Sequence, residues 1–345
     1  MLIQMPAPIA YQCCPHLPRI PVMPLDRRAE LFVEAVSVFS STPVHEMTIE
    51  EARARKQPSV GKLAPIVAQD DCRIPTRTGS VPARVYQPRN EIHNGHPVIV
   101  YIHGGGWVMG ELDHYDQLCR ELASQTDMTV ISLDYRLAPE HQFPKGLEDC
   151  LDAVEHLATE GIPGQAYSHQ PCEHIYLCGD SAGGNLAAVV ANEFHDHSRI
   201  HIEGQILIYP ITDCDFDRVS YRNNAEGYLL TADMMKWFWE LYCPDLNKRP
   251  LPWTSPLQRD SFANLPPAFV LTCEFDPLRD EGAAYAECLQ AAGVETFHHE
   301  VPGMIHGFMR YLQTFPQAHD AVAKIADWID HTSAVSSGKS HTSHH

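Results

Sequence analysis

Apolar runs alternate with helical patterns along most of this sequence, from about residue 66 onward. The apolar runs have the length and the β-branched content of buried strands, and between them apolar residues recur every three or four positions, as on one face of a helix. This alternation is typical of a mostly parallel β-sheet with helices on both faces, so the sequence predicts an α/β fold. The main strands are expected at residues 97–103, 128–135, 174–180, 204–210, 267–276 and 295–302.

An antiparallel hairpin is predicted ahead of these strands. Within residues 72–88 a Thr-Gly-Ser turn separates two extended runs, which places the pair at the sheet edge. Helices are predicted where apolar positions recur from Leu147 to Leu157 and near the C-terminus from Val322 to Ile329, because each stripe can bury one face on the sheet. The tail at residues 333–345 has few apolar residues, so we expect it to be disordered.

Two stretches fall outside the alternation, residues 1–55 and residues 211–255. The second contains a candidate helix with Thr231 as its N-cap. The helix carries an aromatic cluster of Trp237, Phe238, Trp239 and Tyr242. Such a cluster in an insertion suggests a cap over a site, and its rings either pack within the cap or contact a substrate.

Composition narrows the class of protein. The 345 residues include 44 Asp and Glu against 25 Lys and Arg, a formal net charge of −19. With no run of basic residues, this charge argues against nucleic-acid binding. The N-terminus is interrupted by prolines, no apolar run reaches the ~18 residues of a membrane span, and the eleven cysteines lack zinc-ligand spacing. We therefore expect a cytoplasmic protein with reduced thiols and no metal.

A serine between glycines is the candidate nucleophile. Gly179, Ser181 and Gly183 form G-x-S-x-G between a predicted strand and an alanine-rich helix. This is the setting of a nucleophile elbow, in which a tight turn pushes the serine side chain into an open cleft. The motif is common by chance, so its meaning depends on a base and an anion site elsewhere in the chain.

The HGGGW segment after the strand at residues 97–103 is the candidate anion site. Gly104, Gly105 and Gly106 leave their backbone N–H groups uncovered by side chains, so these groups can point at an oxygen that gains charge during acyl transfer. With the N–H of Ala182 they predict an oxyanion hole. Which two of the glycines donate is left open by the sequence.

The residues on either side of these glycines are candidates for the substrate pocket. Trp107 either lines the pocket or packs in the interior. His103 stands at the end of a strand, and we expect it to hold the glycine loop by hydrogen bonding rather than to act as the catalytic base.

The base and its orienting acid are expected after the serine, in the order Ser, acid, His. His306 lies in a loop beyond the last strand, where an imidazole can reach the cleft. Asp276 ends the strand at 267–276, on the same rim as Ser181. Asp280 is the alternative acid, but it begins the next helix and is better explained as a first-turn charge. The predicted triad is Ser181, Asp276 and His306.

Five motifs in order resemble the hormone-sensitive-lipase-like family of α/β-hydrolase esterases, and bacterial acetyl esterases are the most similar branch. The likeness covers about residues 70–330 and rests on HGGGW, DYRLAPEHQFP, GDSAGGN, EFDPLRDEG and IHGF. It implies an α/β-hydrolase fold with an eight-stranded, mostly parallel sheet and a helical cap. The cap is then residues 1–55 and 211–255, and the catalytic domain is residues 56–210 and 256–332.

The resemblance also assigns structural roles. Asp180 and Asp134 match positions that tether the elbow and the DYRLAPE loop, respectively. Trp107 stands where the family more often has Phe, which affects the preference for acyl or alcohol groups and not the chemistry.

The expected function is hydrolysis of short-chain, acetyl-like esters of small molecules, without a cofactor. A bulky Trp107 and an aromatic cap favour acyl chains from acetyl to hexanoyl. Two alternatives stay open: a small-molecule receptor on the same fold, similar to the plant gibberellin receptors, which lack the triad histidine, and a hydrolase of lactones or amides. The protein is expected to be a monomer or a homodimer.

Overall fold

The computed structural model describes residues 24–39, 42–55, 61–89, 97–164 and 170–339. An eight-stranded sheet forms its centre. In chain order the strands are β1 (Ala68–Thr76), β2 (Gly79–Gln87), β3 (Val98–Ile102), β4 (Thr129–Leu133), β5 (His174–Asp180), β6 (His201–Ile208), β7 (Ala268–Phe275) and β8 (Thr296–Ile305).

The strand order is β1-β2-β4-β3-β5-β6-β7-β8. β1 pairs antiparallel with β2, and β2 pairs antiparallel with β4, whereas all other neighbours in the sheet are parallel. The α/β fold and the edge hairpin are therefore confirmed. Because the strands from β3 to β8 run in one direction, the segments that follow their carboxyl ends meet at one edge of the sheet.

Helices cover both faces of this sheet. The helices are α1 (Arg27–Phe39), α2 (Ile49–Arg53), α3 (Leu112–Thr126), α4 (Lys145–Glu160), α5 (Ala182–Phe194), α6 (Val219–Asn223), α7 (Ala232–Tyr242), α8 (Arg279–Ala291) and α9 (Pro316–Lys339). The two predicted apolar stripes lie within α4 and α9, and Thr231 caps α7 by accepting a hydrogen bond from the Met234 N–H at 3.1 Å, as the sequence indicated.

Alternate side chains of each central strand enter different cores. In β3, Val100 and Ile102 pack with residues of α4, α5 and α8, whereas Ile99 and Tyr101 pack with residues of α3 and α9. Every residue of β3 is buried, which explains the continuous apolar run in its sequence. The resulting rigid sheet fixes the positions of the loops at its carboxyl edge.

The C-terminal segment differs from its prediction. α9 continues to Lys339, although residues 333–345 were expected to be disordered; residues 340–345 lie outside the described residues, as do residues 1–23 of the predicted cap. Thr332 is buried, and the Tyr176 hydroxyl on β5 lies 3.2 Å from its Oγ1 and 3.0 Å from Ser333 Oγ. This contact anchors the last turns, and a helix then extends through its own backbone hydrogen bonds without a need for apolar side chains.

No helix within the described ranges is long and apolar enough to cross a membrane. The nine cysteines in these ranges are free thiols.

Candidate active site

Ser181 occupies a sharp turn between β5 and α5. Its φ of 54° and ψ of −119° lie in a region that residues with a side chain disfavour. The turn is held by a hydrogen bond of 2.9 Å from the Ser181 N–H to Ile208 O at the end of β6. Gly183 allows the close approach to β3, because a Cβ at this position would lie 1.9 Å from Ile102 O. The observed geometry is that of a nucleophile elbow.

The structure brings the three residues of the predicted triad together. His306 Nε2 lies 2.9 Å from Ser181 Oγ, and His306 Nδ1 lies 2.7 Å from Asp276 Oδ2. Ser181 is 7% exposed, His306 8% and Asp276 0%. With the proton on Nδ1 donated to the carboxylate, Nε2 is left as an acceptor for the serine hydroxyl proton. The arrangement can therefore activate Ser181 as a nucleophile.

Asp276 is held in place from several sides, whereas the alternative acid points elsewhere. Asp276 Oδ1 accepts a hydrogen bond from the Leu278 N–H at 2.9 Å, and its backbone carbonyl accepts one from Asn224 Nδ2 at 3.1 Å. Asp280 instead accepts from the Ser220 N–H at 2.7 Å and pairs with its neighbour Arg279. Asp280 therefore makes no contact with the imidazole.

Tyr209 packs on the imidazole and was missed by sequence reasoning. Its ring centroid lies 4.5 Å from that of His306, and the residue has a φ of 36° directly after β6. Tyr209 is fully buried, and its hydroxyl has no partner among the described residues. In the sequence it follows an apolar strand, and nothing there distinguishes it from an ordinary core tyrosine.

The structure narrows the choice of oxyanion donors in the glycine loop, which the sequence left open. The Gly104 N–H donates to Asp180 Oδ1 at 2.8 Å, so this amide is already engaged and is not free to bind an oxyanion. The N–H groups of Gly105, Gly106 and Ala182 have no acceptor within the described part of the chain. Gly105 and Gly106 have φ values of 106° and 63°, which a glycine adopts without strain. The candidate donors are therefore Gly105, Gly106 and Ala182.

Trp107 was a candidate for the substrate pocket, but in the structure it is a core residue. It is 1% exposed, and its ring stacks on Tyr242 of α7 with centroids 4.2 Å apart and planes at 6°. Trp239 meets it edge-on at 5.0 Å. Packing of the indole between the sheet edge and α7 removes much apolar surface from water. This stabilises Trp107 in the core and leaves little of its ring available to line a pocket.

His103 does not line a pocket either, and it holds the loop as expected. It is fully buried, with Nδ1 2.8 Å from Gly104 O, and its own carbonyl accepts a hydrogen bond from the Tyr135 hydroxyl at 2.9 Å. Burial lowers the pKa of His103 to about 4, so the ring is neutral at pH 7.

The two aspartates assigned to tethering differ in the structure. Asp180 Oδ1 accepts from the Tyr101 hydroxyl at 2.7 Å in addition to Gly104, and it directly precedes Ser181. Burial raises the pKa of Asp180, although these two hydrogen bonds favour its charged form. The Asp134 carboxylate, in contrast, comes no closer than 3.9 Å to His103 Nε2. The DYRLAPE loop is tethered instead by Arg136, which pairs with Asp149 at 2.7 Å.

A cavity of about 670 Å³ opens beside the glycine loop. Gly105 forms part of its wall, together with Phe32 of α1 and Val44 from the N-terminal segment. Leu229 and Met234 contribute from the 211–255 insertion. The volume is in the range of small-molecule sites. The cavity therefore offers space for a substrate beside a candidate oxyanion donor.

Comparison with known proteins places this geometry in context. A profile of the alpha/beta hydrolase fold matches residues 99–310. Ethyl acetate hydrolase of Pseudomonas putida is 34% identical over 296 residues, which cover 83% of this chain and 91% of that protein. Carboxylesterase NlhH of Mycobacterium tuberculosis is 36% identical, with 82% and 88% covered.

Solved structures agree with these relatives. An esterase from Pyrobaculum calidifontis superimposes with a TM-score of 0.78 at 34% identity, covering 90% of this chain and 99% of its own. A thermostable esterase from Pseudomonas putida superimposes with a TM-score of 0.79 at 31% identity, covering 88% and 96%.

Proposed function

We propose that this chain, which belongs to the hormone-sensitive-lipase-like family of α/β-hydrolases and is a carboxylic-ester hydrolase, acts through a triad of Ser181, His306 and Asp276. The proposal rests on one observation, the unbroken path of contacts from Ser181 Oγ to His306 Nε2 at 2.9 Å and from His306 Nδ1 to Asp276 Oδ2 at 2.7 Å.

In the first half of the reaction Ser181 Oγ attacks the ester carbonyl carbon while His306 Nε2 takes the hydroxyl proton. Asp276 holds the imidazole in the required tautomer and stabilises its cation. His306 then donates this proton to the departing alcohol, which leaves an acyl-enzyme. Water repeats the sequence on the acyl-enzyme, with His306 again as the base, and releases the acid.

The tetrahedral intermediates need donors for their oxyanion. We assign this role to the N–H of Ala182 together with those of Gly105 and Gly106, because no described residue accepts a hydrogen bond from these amides while that of Gly104 is engaged. Ala182 is the first residue of α5, so the positive end of the helix dipole also faces the developing charge.

We further propose that the described part of residues 1–55, together with residues 211–255, forms a cap over the site and that the substrates have short acyl chains. Phe32, Val44 and Met234, from these two stretches, face one cavity, and Phe238 of α7 covers Gly106 so closely that a Cβ there would lie 2.3 Å from the ring. The relative from Pseudomonas putida is named for ethyl acetate, a two-carbon acyl ester.

A p-nitrophenyl ester series of increasing acyl length tests the size limit. We expect the highest kcat/KM between acetyl and hexanoyl, and a maximum beyond ten carbons contradicts the proposal. The series should include an aryl acetamide, because arylacetamide deacetylase of Bos taurus is 33% identical to this chain.

Labelling with a fluorophosphonate tests the mechanism and separates the enzyme from a receptor. We expect a single adduct, which peptide mass spectrometry locates on Ser181. In Ser181→Ala we expect kcat to fall by a factor of about 10⁶. An unlabelled Ser181 in the folded protein, or turnover by the alanine variant near that of the wild type, overturns the proposal.

A further inference from the structure

The cavity beside the glycine loop has an unusual charge. The protein carries a formal net charge of −19, yet no Asp or Glu is among the described residues that line this cavity. Its ionisable lining residues are, apart from the tyrosines, all basic: Arg53, Arg55, His114 and Arg310. A concave, mostly apolar wall with basic groups focuses positive potential inside the cavity.

Two of these basic groups already have partners. Arg53 donates to both carboxylate oxygens of Glu140, at 2.8 and 2.7 Å, and to the Val108 carbonyl at 2.8 Å. His114 Nε2 lies 3.2 Å from Glu111 Oε1. Their hydrogen-bonding capacity is therefore largely used within the protein.

Arg310 is different. It ends the short 3-10 turn Phe308–Arg310, just beyond His306. Its guanidinium carbon lies 5.0 Å from the ring centroid of Tyr115 and 5.8 Å from that of Tyr311. Throughout the described ranges no acceptor forms a hydrogen bond with this guanidinium, no carboxylate lies within 4.0 Å of it, and its Nε is buried without a partner.

A partly buried arginine whose donors face a cavity and have no acceptor among the described residues is a candidate site for an anion. The two aromatic faces offset part of the cost of desolvating the guanidinium, but they leave its five N–H donors unused. A guanidinium presents these donors as a planar fork that matches a carboxylate in two parallel hydrogen bonds. Arg55, on the same wall, also has no ion pair with any described residue.

Resting on the function proposed above, we infer that the natural substrate is an ester that carries a carboxylate, which Arg310 binds while the scissile carbonyl lies at Gly105. Both residues border the same cavity, so one molecule bound in it can contact both. A half-ester of a dicarboxylic acid, or an acyl ester of a hydroxy acid, has this chemistry.

The competing explanation is that Arg310 is purely structural. Its charge acts on the buried Asp180 from beyond contact distance, and its stacking on Tyr115 supports the wall of the cavity. A structural role predicts equal losses for charged and neutral substrates when Arg310 is replaced, whereas recognition of a carboxylate predicts a selective loss.

The test uses two pairs of esters that differ only in the terminal group. Monoethyl adipate is compared with ethyl adipamate, in which a carboxamide replaces the carboxylate on the acyl side. 4-Acetoxybutyrate is compared with 4-acetoxybutanamide, which makes the same change on the alcohol side. kcat/KM is measured for wild type, Arg310→Gln and Arg310→Lys. Arg259→Gln is the control, because the Arg259 guanidinium also stacks on an aromatic ring, 5.9 Å from the centroid of Phe262, but is not among the residues that line the cavity.

We expect wild type to prefer the carboxylate in at least one pair by about tenfold or more, and the side on which it does so identifies the position of the anion. Arg310→Gln should reduce this preference by about tenfold or more and leave little of it, because the hydrogen bonds to a charged group are lost. Arg310→Lys should reduce the preference less, and Arg259→Gln should keep it. A wild type without preference in either pair, or a preference that survives in Arg310→Gln, overturns the inference.

Three further outcomes are informative. If Arg310→Gln does not fold, as judged by circular dichroism, the wild-type pairs and Arg310→Lys still decide. If wild type hydrolyses the carboxamide esters and Ser181 is labelled but the carboxylate gives no advantage, only this inference fails. If wild type hydrolyses none of the esters and Ser181 is not labelled, the proposed function fails as well.

Discussion

The backbone N–H of Gly104 donates a hydrogen bond of 2.8 Å to Asp180 Oδ1, and this bond ties the glycine loop to the nucleophile elbow. The two residues are 76 positions apart in the sequence, yet Asp180 directly precedes Ser181. The bond therefore sets the position of Gly105 relative to Ala182, the two sides of the proposed oxyanion hole.

Replacing Asp180 should impair catalysis through this loop. In Asp180→Ala the Gly104 amide and the Tyr101 hydroxyl lose their acceptor, so we expect kcat to fall by about 10²–10³, similar to the loss of one oxyanion donor. Asp180→Asn should lose less, because an amide oxygen can still accept both bonds. Asp134→Asn is the control, since its carboxylate makes only a 3.9 Å contact. Equal activity of Asp180→Ala and Asp134→Asn, measured with a p-nitrophenyl ester, would argue against the tether.

The orienting acid can be identified with a matched pair of substitutions. Asp276→Asn should lower kcat by about 10⁴, because the amide can hold the imidazole in the wrong tautomer. Asp280→Asn should have little effect, since Asp280 bonds to Ser220 and Arg279 and not to His306. Steady-state kinetics on both variants checks this assignment, provided that their melting temperatures are similar. A large loss in Asp280→Asn with Asp276→Asn active would reverse the two roles.

The strain in the backbone of Ser181 should lower the free energy of unfolding by a measurable amount. A residue with a Cβ in this conformation costs of order 1–3 kcal/mol, and glycine avoids the cost but loses roughly 0.5–1 kcal/mol of chain entropy. We therefore expect Ser181→Gly to unfold in urea with a free energy about 1 kcal/mol higher than that of Ser181→Ala, which keeps the Cβ. Both variants lack the nucleophile, so activity does not enter the comparison. A less stable glycine variant would show that the turn is unstrained.

His103 should make stability depend on pH. Its folded-state pKa of about 4 lies below the ordinary value of 6.5, because burial disfavours the charged ring. Between these two pH values the imidazole is protonated in the unfolded chain but stays neutral in the folded chain. The contribution of neutral, buried His103 to the free energy of unfolding is therefore fully present above pH 6.5 and is lost as the pH falls toward 4. The loss is about 3 kcal/mol over the window.

Urea unfolding of wild type and His103→Gln at pH 7 and pH 4.5 tests this expectation. The variant should start less stable at pH 7 and lose less stability on acidification than wild type. His331→Gln serves as control, because the His331 side chain is 69% exposed. An acid loss in His103→Gln as large as that of wild type would mean that other groups carry the pH dependence.

The class of fold and the candidate catalytic residues could be read from the order of the amino acids alone. Strands and helices could be predicted because periodicity is local, and the buried run of β3 and the stripe of α4 both appear in neighbouring residues. Ser181, Asp276 and His306 could be named because each follows a strand of a parallel sheet, and such strands end at one edge.

Contacts of polar groups and rings between distant segments became known from the folded chain and not from the sequence. Gly104 and Gly105 are equivalent in sequence, and they differ because Asp180 accepts from the first amide and no described residue accepts from the second. Trp107 is buried because α7 presents Tyr242 to it, and the Arg310 guanidinium has no ion pair because no carboxylate of the described residues reaches it. In each case the cause is a contact between residues far apart in the sequence. Such a hydrogen bond or ring contact depends on which distant segments the fold brings together, and the local sequence does not specify this.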